Sequence, residues 1–243
     1  MAAEAYPQGH ASAIEALLKG KADPNIADQQ GRTALFIAAQ AGHASCVEVL
    51  AKGGANLNAS TGWQGSALHA AAEGGHSECI EVLVMMGANL NVTKDSDGGT
   101  ALHSAAFSGH APSIAALLKG KADPNILDAN GMAAIHVAAD ELSDESAACI
   151  VLALAKGGAN MNILRLRDDD PRTQKAALHF AVQHGNLNCL KTLLDCGADA
   201  RIVDGETQLA ALGLARLYWK NQEGDERLRI AACIAALEAA GAR

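Results

Sequence analysis

Nine histidines and six cysteines are the residues of this chain best suited to hold a metal or attack a substrate. Four histidines, His69, His103, His136 and His179, each follow a Leu or Ile, and four more, His10, His43, His76 and His110, each follow a glycine. His69 and His76 are seven residues apart, about 10 Å of rise on a helix. Zinc–nitrogen bonds are only about 2.0–2.1 Å long, so the two are badly placed to share an ion. Only His184 falls outside these two sets. Cys46, Cys79, Cys189 and Cys233 each lie eight residues before a glycine, which reads as one repeated packing position. Cys149 is offset by one, and Cys196 is placed nearer the surface at a helix end. No CxxC pair is present.

Other chemical motifs fail on their details. Gly20-Lys21 and Gly120-Lys121 lack the upstream glycine and following Ser or Thr of a phosphate loop. Asp95-Ser-Asp-Gly lacks the distal glutamate of a calcium loop, because position 106 is alanine. No Ser, Cys or His has the setting of a known nucleophile motif. The expectation is therefore no enzyme, no catalytic residue, no metal and no cofactor.

The 243 residues include 53 alanines, 24 glycines and only seven aromatics, so a core must come from closely packed helices with small side chains. At 49% hydrophobic and 19% charged, the chain is not of disordered composition. The formal charge of −8 disfavours nucleic acid and anionic lipid as partners. No apolar run reaches the ~18 residues of a membrane span, and the N-terminus MAAEAYPQGH does not read as a secretory signal. With so few cysteines, these features predict an intracellular, reducing setting, cytoplasmic or nuclear. In that setting Asn58-Ala-Ser and Asn91-Val-Thr are chance glycosylation triplets.

The chain repeats. Leu35, Leu68, Leu102 and Ile135 are spaced by 33, 34 and 33 residues, and Leu178 continues the series after a longer gap. Each anchor is followed by alanines, usually by a Gly-His pair, and then by an apolar helix ending in Gly-Ala-Asn/Asp. Each unit reads as helix, turn, helix and an extended excursion: Ala67–Glu73, the break Gly74-Gly75, then Ser77–Met86 with Cys79, Ile80, Leu83 and Val84 on one face. Gly87 suits the left-handed helix end. One unit cannot bury its apolar face alone, so its neighbours must. A longer period lies above this one: His10–Asp28 and His110–Asp128 agree at fifteen of nineteen positions, and Leu50–Asn58 matches Leu154–Asn162 except at one residue. A three-repeat block has been duplicated.

These motifs resemble the ankyrin-repeat family, carried by Gly99-Gly-Thr-Ala-Leu-His-Ser-Ala-Ala, Gly109-His110 and Leu117-Leu118. The resemblance implies an all-α solenoid of stacked helix-turn-helix units with β-hairpin-like fingers, and histidines that bond helix to turn. The family's proline is replaced throughout, by Ala34, Ala67, Ala101, Ala134, Ala177 and, in the last unit, Gln208. Proline favours the first helical position, so its loss costs some stability without changing the fold. The resemblance also implies that hairpin asparagines can be hydroxylated; Asn58, Asn91, Asn125 and Asn162 each have leucine eight residues earlier, a spacing that repeat geometry alone also produces.

The chain divides into one domain of seven units: 1–26, 27–60, 61–93, 94–126, 127–163, 164–202 and 203–243. The first lacks most of its opening helix and is either a cap or an excerpt from something larger. The last is expected as a polar cap with helices Thr207–Tyr218 and Glu226–Ala240 around a loop Asn221–Asp225. Capped ends lead to the expectation of a monomer. Two insertions, Asp140-Glu-Leu-Ser-Asp-Glu and Arg165–Lys175, are expected as surface loops, either tolerated or functional.

The resemblance implies a concave surface made of finger tips and the exposed side of each first helix. The residue after each His column is Ile37, Ala70, Ser104, Val137 or Phe180, and one turn on lie Gln40, Glu73, Phe107, Asp140 and Gln183. The candidate partner-binding residues are Arg32, Ile37, Trp63, Glu73, Asp95, Phe107, Asp140 and Phe180. Scarce aromatics matter because interface energy concentrates in such anchors. The expected function is a protein-interaction module or scaffold, with the acidity favouring a basic partner segment. The alternative is a regulatory or targeting segment of a larger enzyme or channel.

Overall fold

The computed structural model describes residues 7–166 and 174–242. The described residues form α1 (Pro7–Lys19), α2 (Ala34–Gln40), α3 (Ala44–Lys52), α4 (Ala67–Glu73), α5 (Ser77–Met85), α6 (Ala101–Phe107), α7 (Ala111–Lys119), α8 (Ala134–Glu141), α9 (Asp144–Lys156), α10 (Ala177–Gln183), α11 (Leu187–Asp195), α12 (Ala211–Asn221) and α13 (Gly224–Ala239). No strand occurs among them; the fingers carry the isolated bridges Ala27–Thr33, Ser60–Ser66 and Val203–Ala210 and close through single backbone bonds such as Lys94 N–H to the Gly99 carbonyl and Asp128 N–H to that of Met132. The described residues are thus all-helical, built of helix-turn-helix units.

The chain divides into two compact units, Met1–Ala122 and Asp123–Arg243. In the first, α2, α4 and α6 form one row and α1, α3, α5 and α7 the other. In the second, α8, α10 and α12 form one row and α9, α11 and α13 the other. Small residues make the close packing of the first row possible: Ala71, Ala72, Ala105, Ala106, Ala138, Ala139 and Ala181 are all inaccessible to solvent. The leucine and isoleucine anchors, Leu35, Leu68, Leu102, Ile135 and Leu178, are at most 2% exposed.

The histidines of the first helices start those helices. Nδ1 of His69, His103, His136 and His179 accepts the backbone N–H of Ser66, Thr100, Ala133 and Ala176, at 2.9–3.1 Å. The opposite nitrogen then carries the proton and donates to the next finger: His69 to Gly99, His136 to Ile163 and His179 to Ile202. Phe36 stands where a histidine would be, and there the Thr33 hydroxyl accepts the Phe36 N–H instead. The turn histidines bond backward: Nε2 of His76 meets the Gln40 carbonyl and Nε2 of His110 that of Glu73, both at 3.1 Å. Asparagines join the fingers in the same manner. Oδ1 of Asn25, Asn58, Asn125 and Asn162 accepts the backbone N–H of Asn56, Asn89, Asn160 and Asp199 in the following repeat.

Burial pushes the His69 pKa down to about 4, only partly offset by its bond to Gly99. The unfolded chain therefore binds the extra proton between about pH 6.5 and 4, so stability is lost as pH falls through that window. Acidification from pH 7.5 to 4 should cost the first unit about 3 kcal/mol through His69 alone. Urea midpoints that stay level across this range in wild type, or fall equally in His69→Gln, would contradict this.

Three expectations need correction. The insertion after Asp140 is not a loop: α8 runs to Glu141, Leu142 and Ser143 are extended, and α9 gains a full turn at its start. Its sequence, rich in Ser, Glu and Ala, offers a helix-starting serine followed by good helix formers. In the last unit the helix begins at Ala211, not Thr207, because residues 204–207 form a turn around the Asp204 carboxylate and Gln208 takes φ +57°. The residue in the family's proline column is thus Ala211, the first of its helix as Ala67 is of α4, and Gln208 belongs to the finger. Finally, α1 passes through Gly9-His10 without the left-handed turn that Gly42, Gly75 and Gly109 make.

Candidate functional site

Within Met1–Ala122 the accessible face is built from finger tips and the last turns of the first helices. Trp63 sits on the finger before α4 and is 64% exposed; its carbonyl accepts the Ser96 hydroxyl of the next finger at 3.0 Å. Phe107, the last residue of α6, is 62% exposed and Ile37 is 45% exposed. Glu73 and Asp95 are exposed. Between α2 and α4, Phe36, Gln40, Gln64, Ala70, Glu73 and Gly74 line a shallow groove of about 220 Å³.

Arg32 is committed elsewhere. Its Nε donates to Asp28 Oδ2 at 2.9 Å, and Nη2 lies 2.7 Å from the same oxygen and 3.3 Å from Gln30 Oε1. Asp28 also accepts the N–H groups of Gln30 and Arg32, and its pKa is lowered, chiefly by the Arg32 side chain. Arg32 braces its own finger and brings no unpaired charge to the face.

The residue after the His column is a packing position, contrary to expectation. Ala70, Ser104, Val137 and Phe180 are only 3–8% exposed, and Ile37 alone is open. Neighbouring first helices pack so closely that this position points at the next helix. Phe180 is accordingly removed from the candidate surface: it is 3% exposed and its ring meets the edge of His136 at 6.0 Å between centroids. One turn on, Gln40, Glu73 and Phe107 are exposed, and Asp140 and Gln183 are half-buried.

In Asp123–Arg243 the candidate Asp140 holds a partner. Its Oδ1 lies 2.8 Å from Nε2 of His184, the residue that ends α10. That hydrogen bond raises the His184 pKa against the opposing effect of partial burial. Sequence reasoning left His184 unassigned, although it lies one column beyond Asp140 in the next repeat. A second pairing was also missed: Lys175 Nζ is 3.5 Å from Oδ2 of the fully buried Asp204, whose Oδ1 accepts from Glu206 N, Thr207 N and Thr207 Oγ. Of the inserted finger Arg165–Lys175, residues 167–173 lie outside the described residues. At its described start, Leu166 N donates to the Gly131 carbonyl and Arg165 Nε to that of Asn130.

Among the described residues no group of three His, Cys, Asp or Glu side chains is gathered as a metal site requires. The Cys79 thiol is pushed up to about 11 by burial, away from the thiolate a nucleophile needs. No helix among the described residues is long and apolar enough to cross a membrane.

No curated protein matches the chain. The family model described as ankyrin repeats (3 copies) matches it at residues 1–94, 53–128 and 102–204. Among solved structures, the ankyrin repeat domain of Bcl-3, a member of the IkappaB protein family, has a TM-score of 0.76 at 23% identity, covering 96% of this chain and 95% of that one. The human ASB11 ankyrin repeat domain has a TM-score of 0.71 at 21% identity, covering 95% and 96%. An ankyrin repeat domain from Acinetobacter baumannii AYE has a TM-score of 0.68 at 28% identity, covering 79% and 95%. With the family model spanning most of its length and the repeat geometry in place, the chain belongs to the ankyrin-repeat family.

Proposed function

We propose that the chain is a non-catalytic interaction module that holds a partner protein on the face of the Met1–Ala122 unit carrying Ile37, Trp63, Glu73, Asp95 and Phe107. Ankyrin repeats are in general protein–protein interaction modules. The observation that carries the reading is the exposure of Trp63 and Phe107, two of only seven aromatics, at 64% and 62%. Aromatic side chains left open on a rigid scaffold supply contact area at little ordering cost. Glu73 and Asp95 are themselves exposed carboxylates, which fit a partner segment carrying Lys or Arg.

Capture from native extract with wild type and with Trp63→Ala/Phe107→Ala tests this. Both residues are exposed, so the variant should keep its thermal midpoint and lose its partner, about tenfold or more in affinity for each anchor removed. Raised salt and Glu73→Ala/Asp95→Ala should weaken the same complex. Equal capture by both proteins would move the site off this face.

A further inference from the structure

The groove between α2 and α4 holds polar groups that the rest of the chain leaves unused. It exists because Ala70 is the smallest residue of its column, where Ile37, Ser104, Val137 and Phe180 stand in the other repeats. Ala70, 6% exposed, and Phe36, 2% exposed, give its 220 Å³ an apolar floor. Gln40, Gln64 and Glu73 supply its acceptors, and no Lys or Arg is among the described residues that line it.

Gln40 and Glu73 are the last residues of α2 and α4, and their backbone carbonyls are taken by His76 and His110. Neither side chain has a hydrogen bond or ion pair among the described residues. Gln64 adds an independent signal: its Oε1 is buried and has no hydrogen-bond partner among the described residues. The Gln64 backbone is held in place, since its N–H donates to Thr61 Oγ1 at 3.2 Å. A buried acceptor left unmet is a standing cost that an incoming donor removes.

An apolar floor, a free carboxylate and an unmet acceptor have one common complement, a donor-rich cation with an apolar face. Lysine is a compact, strongly hydrated point charge, whereas the arginine guanidinium is planar, weakly hydrated and carries five donors in a fixed fork. Resting on the reading of this face as an interaction surface, we propose that the groove receives an arginine side chain of the partner. The guanidinium lies over Phe36 and Ala70, pairs with the Glu73 carboxylate and donates to Gln64, whose carboxamide turns about its soft terminal torsion to meet it. Glu73 sets the charge of the guest, and Gln64 sets the choice of arginine over lysine.

The probe is N-acetyl-arginine amide, titrated into the isotope-labelled full chain and followed by NMR. Saturable shifts are expected at the Gly74 N–H and the Gln64 side-chain amide, with a dissociation constant of about 1–10 mM. N-acetyl-lysine amide should bind about fivefold more weakly, and Glu73→Gln should weaken the arginine amide about tenfold or more. Gln64→Leu should bring arginine down to the lysine value. Because that change removes an unmet buried acceptor, it should not lower the thermal midpoint of the chain. Equal affinity for the two amides, shifts that ignore Glu73→Gln, or no saturation by about 100 mM would each overturn the site. The amide reports on the groove alone, so this inference and the interaction face fail separately. A partner lost with Trp63→Ala/Phe107→Ala but kept by Glu73→Gln and Gln64→Leu leaves the face standing and overturns the arginine site. Arginine amide bound as expected, with a partner that the aromatic variant retains, overturns the face and keeps the groove as an arginine site.

Discussion

Gly131→Ala should destabilise the Asp123–Arg243 unit by about 3 kcal/mol or more, combining left-handed strain with overpacking. Gly131 takes φ +70°, and a Cβ there would stand 1.4 Å from the Leu166 carbonyl oxygen and 2.3 Å from its carbon. Both groups are backbone, so no side chain can swing aside. The finger of residues 127–133 and the start of the inserted finger would have to part, losing the bonds of Leu166 and Arg165 to Gly131 and Asn130. Gly158→Ala is the control. It has φ +88° with nothing within 4 Å of the added carbon, so it should cost only the ~1–2 kcal/mol of the left-handed conformation. Urea unfolding followed by circular dichroism measures both, and equal costs would show that the two fingers do not abut.

Asp204→Ala should remove about 3–5 kcal/mol, as expected when one partner of a buried pair is lost. Three donors, the N–H groups of Glu206 and Thr207 and the Thr207 hydroxyl, would lose their acceptor at once. Lys175, only 15% exposed at its side chain, would keep its charge with Glu206, 3.8 Å away, as its remaining carboxylate. Asp204→Asn keeps an oxygen for the turn and should cost less. Burial pushes the Asp204 carboxyl up, but the Thr207 N–H, Lys175, the Thr207 hydroxyl and the Glu206 N–H together hold it below its usual value. With the folded value depressed, this contribution is present above the unfolded carboxylate pKa and lost as pH falls through the folded one. A wild type whose acid transition matches that of Asp204→Asn would refute this pairing.

Helices whose boundaries follow from local periodicity were legible in the sequence. Ala67–Glu73 matches α4, and Ser77–Met86 matches α5 to within a residue. The cysteine column was legible for the same reason, and Cys46, Cys79, Cys189 and Cys233 are all buried. Where the repeat is irregular, local pattern misled. The start of α12 is set by a carboxylate-centred turn that removes Thr207–Ala210 from the helix, and periodicity carries no sign of that. Phe180 and Ile37 share a column yet differ in exposure, 3% against 45%, because a neighbour's packing decides burial and the column does not. The bond between Asp140 and His184 spans 44 residues, and only the stacking of one repeat on the next brings the two together.

The finger asparagines carry one more consequence. The amide proton of Asn56, Asn89, Asn160 or Asp199 is held by a side chain that belongs to the repeat before it. Such a proton can leave for deuterated solvent only when that earlier finger lets go. Each of these four amides is therefore an isotopic clock for its neighbour and not for itself. Read in order along the chain, their exchange times would show at which junction each unit begins to come apart.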